Sequence, residues 1–211
     1  MSRGTRLYLI RHAETEWNNS GRYQGHIDIA LSLQGRRQAA LLRDRLREEK
    51  LVAVYTSDLK RARETAVIIA EPHGLPVVEV PDLRELNFGL WEGLTYQEIA
   101  ACYTKDLEEW LAHPAVKQIP GGESFAQVQK RTSGVITKII AEHPGEKVAI
   151  VSHGGTLLTM VLSCLGLDLD RIWHFRLDNA SLSILDCFDG RYILTLFNEV
   201  HHLQEDKRED K

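Results

Sequence analysis

The sequence predicts an α/β fold: a three-layer α/β/α sandwich with a mostly parallel central sheet and a small helical cap. Three observations predict it. The runs Leu7 to Ile10, Val52 to Tyr55 and Lys147 to Ser152 are too short for helices, and their interiors carry no polar break. For Leu7 to Ile10 that is the pattern of a strand buried on both faces, and the other two runs read as short strands. Longer stretches of helical periodicity lie between these runs, as in folds that cover a parallel sheet with helices. The length, 211 residues with 43% hydrophobic and 27% charged, suits one domain able to bury a large core.

Leu7 to Ile10 ends in Arg11-His12. A buried strand therefore delivers a cation and an imidazole to the carboxyl rim of the sheet, where open α/β sheets bind ligands. The turn-rich stretch Gly21 to Asp28 follows and is expected to fold back over that rim. Ser32 reads as the N-cap of a helix to about Lys50, with Ala39, Leu42 and Leu46 as its apolar stripe and Arg36, Arg43 and Arg47 toward water.

After Val52 to Tyr55, Ser57 or Asp58 is expected to cap a helix that carries Arg61 in its first turn and runs to about Ala70, stopped by Pro72 and Gly74. The positive end of that helix favours an anion. Pro76 and Pro81 frame a short strand, and Glu85 follows after a short connection, where a carboxylate can lean into the site. Residues 95–120 hold two short helical patterns with Tyr103, Trp110 and His113. They read as a cap insertion in a single domain spanning 1–211.

Ser124 and Gln127 form a capping-box signature for a long helix. Its buried stripe is Phe125, Val128, Thr132, Val135, Ile136, Ile139 and Ile140, and His143-Pro144-Gly145 ends it. Lys147 to Ser152 then repeats the first device: a strand, then His153-Gly154-Gly155, then an apolar helix stopped by Gly166. Asn179 to Asp186 and Tyr192 to Phe197 flank Asp189-Gly190, a hairpin signal. The charged tail from His201 reads as frayed.

Two strand-to-histidine units put two imidazoles on one rim, with Arg11 and Arg61 nearby. The stretches RHAETEWN, Ser57-Asp58-Leu59 with Arg61-Ala62, Leu83-Arg84-Glu85 and SHGG resemble, in order and spacing, the histidine phosphatase superfamily, the phosphoglycerate-mutase-like proteins. The resemblance runs from about Leu7 to Phe197. It implies that fold and a phosphomonoester hydrolase working through a phosphohistidine. By this resemblance His12 attacks phosphorus, while Arg11, Arg61 and His153 hold the equatorial oxygens. Glu85 protonates the leaving oxygen and then deprotonates the water that cleaves the intermediate. Asn18 and Gln24 supply polar contacts to the phosphate, with the backbone near Gly25 and at Gly154. No cofactor and no metal are implied, because arginines neutralise charge that magnesium handles elsewhere.

After Glu85, the stretch LNFGLWEGLTYQEI is similar to the phosphatase branch and not to the longer mutase insertion. Alpha-ribazole phosphatases, broad-specificity phosphatases and metal-independent phosphoserine phosphatases all share this likeness, and the choice among them stays open. Asn87, Phe88, Trp91 and Glu92 border the leaving-group side in the resemblance and are expected to be partly structural. Two other readings are a cofactor-dependent phosphoglycerate mutase and a catalytically silent phosphate-binding module. The joint presence of both histidines, both arginines and Glu85 argues against silence. One departure is Ala13, where most members carry glycine; a methyl is tolerated there if φ is negative.

The net charge of −4 gives no global positive field for nucleic acid or a membrane surface. The expected partner is a small phosphorylated metabolite; the oligomeric state is open, a homodimer included. Cys102, Cys164 and Cys187 are odd in number and far apart, as reduced thiols in a cytoplasmic protein would be. Arg3 and Arg6 precede no apolar segment of signal length, and nothing approaches the ~18 apolar residues of a membrane span. Competing motifs fail. His12-Ala13-Glu14 lacks the P-C-x-x-C partner of a zinc deaminase, Ile150 breaks G-x-S-x-G around Ser152, and there is no phosphate-binding G-x-x-x-x-G-K-[ST] loop. His26, His73, His113, His143, His174, His201 and His202 lack metal spacing as a set, and loop or surface roles are expected for them.

Overall fold

The computed structural model describes residues 4–207; Arg3 and the end of the charged tail, 208–211, lie outside them. Strands β1 (Thr5–Arg11), β2 (Leu51–Thr56), β3 (Val77–Glu79), β4 (Lys147–Ser152), β5 (Leu182–Phe188) and β6 (Arg191–Glu199) form one sheet, ordered β3-β2-β4-β1-β5-β6. The first four in that order pair parallel, and β5 runs antiparallel to both neighbours. The sheet is mostly parallel, as predicted.

The central strands are apolar on both faces because helices cover both. Leu7 and Leu9 of β1 join Val148 and Ile150 of β4 in one core. Tyr8 and Ile10 join Ala149 and Val151 in the other. Helices α2 (Leu33–Leu46) and α3 (Lys60–Ala70) supply Ala39, Leu42, Ala62 and Ile69 to the second core. Helices α6 (Phe125–Glu142) and α7 (Gly154–Cys164) supply Val128, Ile136, Leu157 and Val161 to the first. Truncating a buried leucine such as Leu9 to alanine in such a core costs about 2–5 kcal/mol.

The chain leaves β1 toward a helix on one face and leaves β4 toward a helix on the other. Adjacent parallel strands whose connections diverge in this way open a crevice at their carboxyl ends. Arg11 is the register partner of Ser152, so the residues that follow, His12 and His153, emerge side by side.

Several boundaries differ from expectation, each for a tertiary reason. Helix α2 ends at Leu46, before Lys50; Glu49 turns back instead, accepting from the Tyr8 hydroxyl and the Lys147 ammonium at 2.6 Å each. Neither Ser57 nor Asp58 is the N-cap of α3, which is Leu59. Asp58 pairs with Arg84, and Asp28, from the loop after β1, accepts from the Lys60 N–H at 2.7 Å. Strand β5 starts at Leu182, later than Asn179, because Ala180 takes φ 53° and donates its N–H to the His12 carbonyl at 3.2 Å. The hairpin turn does form, with Asp189 at φ 49° and Gly190 at φ 78°, the two positive values that a type I′ turn needs.

Short elements not expected from the sequence include α1 (Glu16–Asn19), closed by a Thr15–Asn18 capping box, and 3₁₀ turns over Pro81–Leu83, Gly89–Trp91 and Leu169–His174. Helices α4 (Tyr96–Cys102) and α5 (Thr104–Ala112) fill the segment after Glu92. Ile99, Leu107 and Trp110 root them in the first core, where the Trp110 ring meets Trp91 edge-on at 5.4 Å and Trp173 at 4.6 Å. The tail expectation is corrected at its start. His201–Lys207 forms a 3₁₀ turn, and His202 is buried with Nε2 3.1 Å from the Ala180 carbonyl. Among the described residues no helix is long and apolar enough to cross a membrane.

Candidate active site

Nine residues singled out in the sequence belong to one place. Arg11, His12, Asn18, Gln24, Gly25, Arg61, Glu85 and Gly154 line a single pocket of about 250 Å³ at the carboxyl ends of β1 and β4. The ninth, His153, lies fully buried behind its wall, with its ring centroid 5.1 Å from that of His12.

The imidazole of His12 is set by its own backbone. Its N–H donates to the Ser152 carbonyl at 2.9 Å, which ties the end of β1 to β4. Its Nδ1 lies 2.7 Å from the Ala13 carbonyl. A carbonyl only accepts, so in the neutral ring Nδ1 carries the proton and Nε2 carries the lone pair. Ala13 is absent from the positive-φ residues, so its methyl is tolerated in place of glycine. Burial, followed by the Arg61 and Arg11 cations, holds the His12 pKa well below the usual imidazole value, against the opposing pull of the Ala13 carbonyl. His153 is lowered for the same reasons, burial first and then Arg61, His12 and Arg11.

Arg11 donates through Nη1 to the Leu177 carbonyl at 2.6 Å. Arg61 donates through Nη2 and Nη1 to the carbonyls of Gly25 and Ile27 at 2.7 and 2.9 Å. Burial pulls Arg61 down to about 10, so it remains a cation at neutral pH. A guanidinium has five N–H donors, so each arginine keeps donors in reserve. The loop that holds Arg61 is itself pinned, because Glu92 accepts from the N–H groups of His26 and Ile27 at 2.7 and 3.1 Å. Gly25, at φ 52°, passes so close that a Cβ there would run into the Glu92 carboxylate.

Glu85 sits at the N-terminus of α7. Its Oε1 accepts from the N–H groups of Leu86 and Thr156 at 2.9 and 3.0 Å, and its Oε2 from the Gly155 N–H at 3.1 Å. Gly155 is glycine for a packing reason: a Cβ would stand 2.9 Å from Glu85 Oε1 and 3.2 Å from the Phe125 ring. Asn18 Oδ1 is occupied by Thr15 and Asn179, which leaves its amide N–H₂ for the pocket.

Buried polar atoms without partners gather here: Arg11 Nε and Arg61 Nε, both donors, and the two ring nitrogens of His153, one of which carries a proton in the neutral ring. Buried polar atoms are nearly always bonded, so this set has the chemistry of a cradle for an anion with several oxygens. Sequence reasoning missed Arg22 and Tyr23, which line the mouth, and Asn179, whose side-chain N–H₂ donates to the His12 carbonyl at 3.1 Å. Nothing in their spacing marked them, although Arg22 and Tyr23 lie within the loop expected to cover the rim. His26, expected in a loop or surface role, bonds through Nε2 to the Glu85 carbonyl at 2.9 Å. Among the described residues no group of three or more His, Cys, Asp or Glu could hold a metal ion.

The chain is 38% identical over 200 residues to phosphoserine phosphatase 1 of Hydrogenobacter thermophilus, covering 95% of each protein. Among solved structures, YhfR of Bacillus stearothermophilus superposes with a TM-score of 0.89 at 34% identity, over 94% of this chain and 99% of that one. A phosphoserine phosphatase mutant from Entamoeba histolytica in complex with phosphoserine superposes with a TM-score of 0.87 at 30% identity, over 94% and 99%. Other matches are named metal-independent phosphoserine phosphatase, probable phosphoglycerate mutase and alpha-ribazole phosphatase. The profile of the histidine phosphatase superfamily, branch 1, matches residues 7–200, and the chain belongs to that superfamily.

Proposed function

We propose that this phosphomonoester hydrolase works without a metal, through a phosphohistidine at His12, on a small phosphorylated metabolite of the phosphoserine kind. The observation that carries the reading is the gathering of unpartnered buried nitrogens, Arg11 Nε, Arg61 Nε and the His153 ring, around the lone pair of His12. Transfer of a phosphoryl group demands little covalent chemistry from a protein beyond placing a nucleophile and matching charge on three oxygens. His12 Nε2 attacks phosphorus. Arg11, Arg61 and His153, with the Asn18 amide, hold the non-bridging oxygens. Glu85 gives a proton to the leaving oxygen as its bond to phosphorus breaks. It then takes one from the water that attacks the phosphohistidine, releasing phosphate and restoring His12. Oε2 is the oxygen for this work, since Oε1 already accepts two backbone bonds and Oε2 only one.

The substrate class follows from the size and rim of the pocket. About 250 Å³ lies below the ~300–1,000 Å³ of drug-sized sites, so a compact ester fits. Arg22 lines the pocket with Nη1 held by the Gly93 carbonyl at 2.6 Å and the Glu98 carboxylate at 3.3 Å; its Nη2 and Nε remain for a substrate carboxylate, and relatives carry phosphoserine phosphatase names. The metal-free reading has the support of two arginines facing the phosphoryl group and of the Arabidopsis thaliana relative's name. The free thiols of Cys102, Cys164 and Cys187 support a reducing, cytoplasmic setting.

The decisive test is chemical. A phosphoramidate survives base and hydrolyses in acid. Rapid alkaline quench of enzyme with labelled phosphoserine is expected to leave phosphate on His12, mapped by mass spectrometry and removed by acid. Phosphate on His153 would exchange the two roles. A competent enzyme that never carries phosphate would make direct attack by water the mechanism.

A further inference from the structure

Glu85 lies on a stretch with neither helix nor strand, between the turn Pro81–Leu83 and the turn Gly89–Trp91. Its backbone carbonyls have no ladder to join, so other groups must satisfy and fix them. Ser152 and Thr156 donate their hydroxyls to the carbonyls of Leu83 and Arg84 at 2.7 Å each. His26 Nε2 lies 2.9 Å from the Glu85 carbonyl, and a further anchor comes from α6.

Arg131 uses all five of its N–H donors there. Nη1 donates to the Asp82 and Arg84 carbonyls at 2.6 and 2.7 Å. Nη2 donates to the Glu85 carbonyl at 2.9 Å and to Glu123 Oε2 at 3.1 Å. Nε donates to Glu123 Oε1 at 3.1 Å. Glu123 in turn fixes the far side of Glu85: its Oε2 accepts from the Asn87 N–H at 3.0 Å, and its own N–H donates to the Asn87 carbonyl at 2.9 Å. The pair therefore grips the chain on both sides of Glu85. Arg131 is not among the residues that line the pocket, and its five N–H donors are all engaged by the backbone around Glu85 and by Glu123.

We propose that Arg131, oriented by Glu123, is a positioning residue that sets the Glu85 carboxyl against the leaving oxygen. This rests on the acid–base role of Glu85 given above. A planar fork is required, because one rigid group meets three carbonyls and a carboxylate at once, whereas an ammonium offers three donors from a single point. Displacing a catalytic group by about 1 Å can cost about 100-fold.

The experiment compares single-turnover phosphorylation of His12 in wild type, Arg131→Lys, Glu123→Gln, Glu85→Gln and the Arg131→Lys/Glu85→Gln double variant. Each enzyme is counted by its phosphorylated fraction, so misfolded protein does not enter. Lysine retains the positive charge near His153 and removes the fork. With phosphoserine, Arg131→Lys is expected to lose about 10- to 100-fold, and with p-nitrophenyl phosphate several-fold less, since that leaving group needs little protonation. Glu123→Gln is expected to show the same ester dependence in smaller measure. On Glu85→Gln, the lysine change is expected to add under about twofold, because both act through one carboxyl. Equal losses on the two esters, or an undiminished loss in the double variant, would show Arg131 to be a structural brace and overturn the proposal. If Glu85→Gln itself shows no ester dependence, the acid role falls and the positioning role falls with it; if only the Arg131 and Glu123 variants lack that dependence, the positioning role falls alone.

Discussion

Nδ1 of His12 stands 2.7 Å from the carbonyl oxygen of the next residue, Ala13. A strand end thereby fixes which imidazole nitrogen carries the proton and which faces the pocket. The free enzyme is expected to show the Nδ1–H tautomer of His12 at neutral pH in ring nitrogen NMR. Because burial and two arginines keep its pKa low, the ring should stay neutral well below the ordinary ~6.5. An Nε2–H tautomer would remove the nucleophile.

The same burial makes stability depend on pH. In the folded protein His12 and His153 are both lowered, whereas in the unfolded chain they take up protons below about 6.5. The unfolded state then binds more protons, so stability is complete above about 6.5 and falls as pH drops from there toward the folded pKa values. Within that window each ring contributes a slope of roughly 1.4 kcal/mol per pH unit. The Tm of ligand-free enzyme should decline from pH about 7 to about 5.5, and less steeply in His153→Gln. An unchanged slope in that variant would remove His153 from the account.

Glu85→Gln keeps size but cannot give or take the proton. General acid–base loss is worth about 10²–10⁴ in rate, so steady-state hydrolysis of phosphoserine is expected to fall by that factor. The fall should be smaller for p-nitrophenyl phosphate where phosphorylation of His12 limits turnover. Full activity in the variant on an alkyl ester would assign the proton transfer elsewhere.

Activity is expected to persist in a strong chelator, because the proposed mechanism gives the charge facing the phosphoryl group to Arg11 and Arg61. Turnover lost on chelation and recovered with magnesium or zinc would replace the metal-free mechanism.

3-Phosphoglycerate is expected to be hydrolysed or ignored. Efficient conversion to 2-phosphoglycerate, primed by 2,3-bisphosphoglycerate and followed by phosphorus NMR, would place the chain with the relatives named as probable mutases.

The sequence alone determined the central strands, the long helices and the residues that gather at one pocket. Leu7 to Ile10 and Lys147 to Ser152 were legible because a strand buried on both faces must be continuously apolar. Ser124 and Gln127 marked α6 because capping is local, with both partners three residues apart. His12, Arg61, Glu85 and His153 were legible from strand ends, a helix start and the family likeness. Tertiary structure decided what depends on partners distant in the chain. Asp28 accepts the first N–H of α3 across 32 residues, Ala180 bends away from β5 to reach His12, and His202 docks on Ala180. The grip of Arg131 on the Glu85 backbone spans 46 residues. Local periodicity reports which face of an element is buried, but a hydrogen bond between remote segments exists only once the sheet has brought them together, and no spacing along the chain encodes it.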